Sequence, residues 1–98
     1  MTEQTGIFKT AHASKYLQQM CKHFAHKVDV TFDETHGEAQ LPSGTALFDA
    51  NKDRLSVSIT GKTDDERAQA RHVIDVHLQK FAFREAFEAM NWDEPERA

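Results

Sequence analysis

The chain has 98 residues, of which 39% are hydrophobic and 29% are charged, and this predicts one compact domain with a modest core. One cysteine excludes an intramolecular disulfide bond, no apolar run can span a bilayer, and MTEQTGIFKT lacks the pattern of a signal peptide, so we expect a cytoplasmic protein without a membrane partner. The formal charge of −4 and the scattered basic residues do not favour nucleic acid as a partner.

The first part of the chain predicts a strand followed by a helix. Residues 3–10, EQTGIFKT, have an apolar centre that is typical of a short strand. A helix should begin at Thr10 or His12 and end near Lys27, because the apolar side chains between them recur at helical spacing. These apolar side chains are Ala13, Tyr16, Leu17, Met20, Cys21 and Phe24.

Short strands separated by turns fill the middle of the chain. Apolar and polar residues alternate over residues 28–32, and a turn is predicted over residues 33–37. The strands predicted after this turn are 38–41, 45–50 and 55–60. The bend at Pro42 leaves open whether the first two of these form one long strand.

A capping box marks the start of a second long helix. In the sequence TDDE, Thr63 can accept a hydrogen bond from the amide of Glu66, whose side chain can reach back to the cap. The predicted inner stripe of this helix contains Ala70, Val73, Ile74, His77, Leu78 and Phe81. The order β-α-β-β-β-(β)-α predicts an α+β two-layer sandwich, with a mostly antiparallel sheet of four to five strands and two long helices on one face.

Apolar side chains continue beyond the second helix, but they lie on roughly the opposite side of it. The segment either bends and folds back onto its own domain, or it presents a second apolar face to a protein partner or a second copy of the chain. The candidate interface residues are Phe83, Phe87, Met90 and Trp92. We place the domain at residues 1–90 and expect a flexible acidic tail over residues 91–98.

The segment CKHFAHKVDV contains a Cys-x-His-x-x-His pattern that resembles part of a metal site. In a helix, Cys21 and His23 point about 200° apart and cannot bind the same ion. His23 and His26 are neighbours, and His36 or a nearby carboxylate could supply a third ligand. His23, His26 and His36 are therefore the candidate ligands for iron, zinc or haem, while the alternative is that these histidines have only structural or solvent-exposed roles.

Two further residues have simpler interpretations. Cys21 belongs to the apolar face of the first helix, so it is expected to be a buried and inert thiol rather than a nucleophile. His77 lies within the inner stripe of the second helix, where we expect a buried histidine with a hydrogen-bond partner.

Three segments together resemble a known bacterial family. They are ASKYLQQMCKHFAHKV, FDETHGEAQLPSG and HLQKFAFRE, and the resemblance to the domain of unknown function 2218 family covers about residues 5–88. This family has no established activity. Similar domains are also joined to siderophore-interacting, flavin-binding ferric reductases, so the resemblance implies an accessory binding protein in iron, siderophore or haem handling. The alternatives are a protein-interaction or self-association module, such as a homodimer, and a small enzyme that uses histidine as an acid-base group; we favour a binding role over an enzyme.

Overall fold

The computed structural model describes residues 2–42, 44–85, 87 and 89–92. The elements are β1 (Thr2–Lys9), α1 (Ala13–Phe24), β2 (Val30–Phe32), β3 (His36–Leu41), β4 (Gly44–Ala50), β5 (Arg54–Gly61), α2 (Asp64–Phe81), a 3-10 turn (Phe83–Glu85) and β6 (Asn91–Trp92). The described strands form one antiparallel sheet in the order β2-β3-β4-β5-β1-β6. The predicted α+β fold is confirmed, although the sheet has six strands rather than four or five.

Strict alternation along the central strands gives the sheet one apolar face. Leu55, Val57 and Ile59 of β5 are fully buried, whereas the two serines between them and the threonine after them are only half-buried. Both helices pack on this face and against each other. The largest buried side chains of the shared core are Leu17, Met20, Phe48, Leu55, Ile59, Ile74 and Leu78. In the described part of the chain, neither helix is long and apolar enough to cross a membrane.

The first helix is shorter at both ends than the sequence predicts. It starts at Ala13, after Thr10 Oγ1 has accepted a hydrogen bond from the amide of His12 at 3.0 Å. It ends at Phe24, whose carbonyl oxygen accepts from the amides of Lys27 and Val28, each at 2.9 Å. These bonds close a tight turn, and β2 therefore begins only at Val30.

The predicted capping box of α2 is confirmed. Thr63 Oγ1 accepts a hydrogen bond from the amide of Glu66 at 3.1 Å, and the helix runs from Asp64 to Phe81. The predicted inner stripe is largely buried, with Val73, His77 and Phe81 at its half-buried margin. Arg67 is also buried on α2, although it is not part of the predicted stripe. It is 6% exposed and donates a hydrogen bond from Nη1 to the carbonyl oxygen of Gly61 at 3.0 Å.

The segment that follows α2 folds back onto its own domain, which was one of the two alternatives left open by the sequence. Met90 is buried in the core, and the ring of Phe87 lies 4.7 Å from that of Phe8. The strand β6 pairs Trp92 with Gly6, where an added Cβ atom would lie 2.8 Å from the indole ring. Asn91 and Trp92, which the sequence assigns to the flexible tail, therefore belong to the sheet; residues 93–98 lie outside the described residues, and the flexible tail stays a prediction for them.

The carboxylate of Asp75 on α2 anchors this returning segment. It accepts hydrogen bonds from the backbone amide of Met90 at 3.0 Å and from the indole Nε1 of Trp92 at 3.1 Å. Both donors lie against the core, where an unpaired N–H group is costly. Asp75 therefore attaches β6 to the helix layer, while strand pairing attaches β6 to β1.

Replacing Asp75 with alanine should release the C-terminal segment. We expect Asp75→Ala to lower the free energy of unfolding by about 1–3 kcal/mol, because two donors lose their acceptor. Trp92 is the only tryptophan, so its fluorescence should shift to the red as the indole meets water. Denaturant unfolding and emission spectra measure the two effects. The matched control His72→Ala changes an exposed residue of the same helix and should alter neither; an Asp75→Ala protein with unchanged emission would contradict the anchoring role.

A second anchor joins the 3-10 turn to the first helix. Glu85 accepts a hydrogen bond from the hydroxyl of Tyr16 and a bifurcated one from Thr10 Oγ1, which lies 2.9 and 3.0 Å from its two carboxylate oxygens. Tyr16 is only 4% exposed. Burial raises the pKa of Tyr16 to about 12, and the hydrogen bond and negative charge of Glu85 act in the same direction.

This raised pKa predicts a loss of stability at alkaline pH. The unfolded tyrosine ionises near its ordinary pKa of about 10, whereas the folded one keeps its proton, so the free energy of unfolding falls as the pH rises between about 10 and 12. The slope should approach about 1.4 kcal/mol per pH unit and should disappear in Tyr16→Phe. Denaturant unfolding of both proteins across this range measures it. Tyr16 is the only tyrosine, so an absorbance titration with a midpoint near its ordinary value would contradict the prediction.

Candidate functional site

The sheet face opposite the helices is polar and remains uncovered by any described element. In antiparallel pairs, residues directly opposite one another point to the same face. The register therefore places two rows of side chains across this open face: His36, Asp49 and Ser56 in one row, and Glu38, Leu47 and Ser58 in the other. Leu47 is 42% exposed, which is unusual for a leucine at the centre of a polar surface.

A shallow cavity of about 650 Å³ lies over these two rows. Its volume is within the range of small-ligand pockets, although it is an open depression rather than an enclosed one. Besides the two rows, its lining includes Thr31, Phe32, Asp33, Gly37 and Phe48. Residues of β2, β3, β4 and β5, together with the turn between β2 and β3, therefore line the cavity.

A tight turn between β2 and β3 positions His36 at the edge of this cavity. Asp33 Oδ1 accepts hydrogen bonds from the amides of Thr35 and His36, each at 2.8 Å. The ring of His36 then has Thr35 Oγ1 at 2.8 Å from Nδ1 and Asp49 Oδ1 at 3.9 Å from Nε2. Because the His36 and Asp49 side chains are 70% and 66% exposed, this pair contributes little to stability and is available to a ligand.

The cavity carries negative charge. Asp33, Glu38 and Asp49 line it, and no lysine or arginine is among its described lining residues. The backbone amides of Thr35 and His36 lower the pKa of Asp33, so this carboxylate stays ionised well below neutral pH. A cationic group would be attracted to this surface, and an anionic group would be repelled.

The order of side chains in the first row does not suit nucleophilic catalysis. A serine nucleophile needs a histidine within hydrogen-bond reach, with the carboxylate on the far side of the imidazole. Here Asp49 lies between His36 and Ser56, whose strands are about 10 Å apart. His36 therefore cannot take a proton from Ser56, and the row is better suited to binding than to hydrolysis.

The three predicted metal ligands lie in different parts of the fold. His23 is on α1, His26 is in the turn after that helix, and His36 begins β3 on the open face. Within the described residues, no group of three or more histidine, cysteine, aspartate or glutamate side chains could hold a metal ion. The predicted ligands are not brought together in one cluster, and binding of iron, zinc or haem by this protein stays a prediction.

His23 instead contacts His77, which the sequence does not predict as its partner. Its ring centre lies 4.6 Å from that of His77 and 6.2 Å from that of Phe81. Packing against these rings removes part of the hydration of His23 and, with the neighbouring His77, lowers its pKa. His77 is half-buried and has the expected hydrogen-bond partner, since Nδ1 lies 2.7 Å from the carbonyl oxygen of Val73. The pairing depends on how α1 and α2 lie side by side, which helical spacing within either segment cannot reveal.

Cys21 has the buried position that the sequence predicts. Its thiol is fully buried, and burial raises its pKa to about 11, so it remains protonated at neutral pH. A Cβ atom added to Gly37 would lie 2.7 Å from Cys21 Sγ. The thiol therefore packs tightly between α1 and β3. Because it stays protonated, it is a poor nucleophile.

The predicted interface residues are mostly used inside the domain. Phe87, Met90 and Trp92 pack against the core. Phe83 is 66% exposed, with the guanidinium group of Arg84 at 5.8 Å from its ring centre. Of the four candidates, Phe83 is the one that projects into solvent, and association with a second copy or a protein partner stays a prediction.

Comparison with known proteins gives a fold relative and a family. No curated protein matches the chain. The NMR structure of PA4090 from Pseudomonas aeruginosa is similar, with a TM-score of 0.82 and 26% sequence identity over 99% of this chain and 100% of that one. The sequence pattern of the DUF2218 family, described as an uncharacterized protein conserved in bacteria, matches residues 5–93. Because this match spans nearly the whole domain, including the strand β6, the chain belongs to the DUF2218 family.

Proposed function

We propose that this domain is a binding module that takes a small cationic ligand on the open face of its sheet. The observation that carries the proposal is the cavity of about 650 Å³, lined by three carboxylates without a lysine or arginine among its described lining residues. Exposed carboxylates on adjacent strands repel one another weakly, and a bound cation would relieve that repulsion.

The lining also indicates the rest of the ligand. Leu47 offers an exposed apolar surface beside Glu38, and the hydroxyl of Ser56 offers a hydrogen-bonding group beside Asp49. An ammonium or guanidinium group attached to an apolar body would contact all of these groups. The ligand class is therefore an amphipathic cation.

An accessory role in iron, siderophore or haem handling is the more specific form of this proposal. It rests on the family resemblance and on the association of similar domains with siderophore-interacting proteins. The charge of the cavity discriminates among the ligands of that pathway, since Asp33, Glu38 and Asp49 would repel an anionic ferric chelate or the propionate groups of haem. The form that fits is a ferric chelate with a positive charge.

Titration with a matched pair of small ligands tests the binding proposal. Phenethylammonium should shift the backbone amide resonances of β3 and β4 in NMR spectra, whereas phenylacetate should not. Asp49→Asn and Glu38→Gln should each weaken the binding by about two- to fivefold, the usual effect of one exposed charge, and added salt should weaken it further. Glu3→Gln is the matched control, because Glu3 is an exposed carboxylate on the same sheet face outside the cavity.

The same experiment separates the general proposal from its iron-specific form. A ferric trihydroxamate that carries a free ammonium group should shift the same amides, and an anionic ferric tricatecholate should not. Binding of phenethylammonium without binding of the cationic chelate would remove the iron-specific form alone. Equal shifts with phenethylammonium and phenylacetate, or shifts confined to the helices, would refute the open-face site.

A further inference from the structure

The C-terminal parts of the two helices bring two imidazole rings into contact. The rings of His23 and His77 have centres 4.6 Å apart and are inclined by 52°. Phe24 contacts His77 edge to face at 4.9 Å, and Phe81 contacts His23 in the same manner at 6.2 Å. The two histidines thus form a pair with an aromatic ring beside each member, in the helix layer and not on the open face of the sheet.

A backbone hydrogen bond orients His77 as a potential ligand. A carbonyl oxygen only accepts, so the contact of 2.7 Å with the carbonyl of Val73 places the ring proton on Nδ1. The lone pair of a neutral His77 ring is then on Nε2. Histidines that bind metals usually donate their second nitrogen to a carbonyl or a carboxylate in this way, which fixes the tautomer and the ring orientation.

His23 has both ring nitrogens available. It is exposed, and none of the described residues forms a hydrogen bond with its ring. A metal–nitrogen distance of about 2.0–2.1 Å on each of two imidazoles places their ring centres about 4.5–5.2 Å apart when the angle at the metal is between about 90° and 110°. The observed separation of 4.6 Å falls in this range, so side-chain rotation of His23 could complete a two-histidine site while both helices stay in place.

We propose that His23 and His77 together bind a divalent transition metal ion such as Zn²⁺, Ni²⁺ or Cu²⁺, with water in the remaining coordination positions. This pair differs from the His23–His26–His36 set that the sequence suggested, because its second ligand comes from α2. It is also independent of the proposed cation site, which is formed by β2 to β5 and the turn that contains Asp33.

The charges around the pair limit its affinity. Lys27, Lys80 and His26 are near enough to act on the charge of His23. Two lysines disfavour a dication, and no carboxylate joins the two imidazoles in a larger cluster within the described residues. Removing one of these lysine charges should therefore strengthen metal binding, an effect that a purely structural role for the histidines would not produce.

Calorimetric titration of the full chain with Zn²⁺ and with Ni²⁺ at neutral pH tests the site. His23→Gln and His77→Gln should each raise the dissociation constant at least about tenfold, because each removes one of two ligands. His72→Gln, on the exposed side of α2, is the matched control and should leave it unchanged. Lys80→Gln should tighten binding by about twofold or more.

A second set of measurements distinguishes the loss of a metal ligand from misfolding of the His77 variant. His23 is exposed, so His23→Gln should keep the circular dichroism spectrum and the melting temperature of the native protein. In wild-type protein, Ni²⁺ or Cu²⁺ should broaden the ring-proton NMR signals of His23 and His77 together. Binding that survives His23→Gln, or that falls with His26→Gln but not with His77→Gln, would overturn the proposal; so would broadening confined to His36 or an absence of binding.

Discussion

The arrangement of the whole domain depends on how the helix-side face of β1 is covered. Two helices are too few to cover one face of a six-stranded sheet. The chain therefore returns after α2 and places Phe87, Met90 and Trp92 over β1. Asp75 holds the returning segment through two hydrogen bonds, and Gly6 leaves the space that the indole ring needs. Without this closure, the apolar surface of Phe8 would face water. An exposed apolar patch of this kind would favour association with other proteins.

This closure decides where function can reside. Once the helix-side face is sealed, the open sheet face and the solvent edges of the helices are the surfaces left for ligands. They differ in charge: carboxylates line the cavity on the sheet, whereas lysines and imidazoles gather near the C-terminal ends of the helices. A formal net charge of −4 conceals this separation, because it averages two surfaces that would attract opposite kinds of ligand.

The sequence predicts those parts of the fold that are determined locally. Alternation in β5 and the capping box at Thr63 depend on residues within a few positions of each other, and both are present as expected. The sixth strand is not predictable in this way, because Asn91 and Trp92 form it only through pairing with β1 and through Asp75. A two-residue strand has no periodicity of its own, so the sequence pattern predicts a tail for the C-terminal residues.

The candidate site shows the same division between local and long-range information. The sequence indicates His36 as a candidate ligand. Its neighbour Asp49 comes from β4, however, and the register of the strands brings the two together. The pairing of His23 with His77 also requires the relative placement of two helices that are separated by four strands in the chain. Helix geometry alone predicts that His23 and Cys21 point in different directions, because that argument needs only one helix.

The close contact between Gly37 and Cys21 links the two surfaces mechanically. Gly37 lines the cavity beside His36, and an added Cβ atom there would lie 2.7 Å from the thiol of Cys21, two residues before His23. Protein cores are close-packed, so a contact of this kind does not let α1 slide over β3 without repacking. The strand that carries the cavity and the helix that carries the imidazole are therefore packed as one unit.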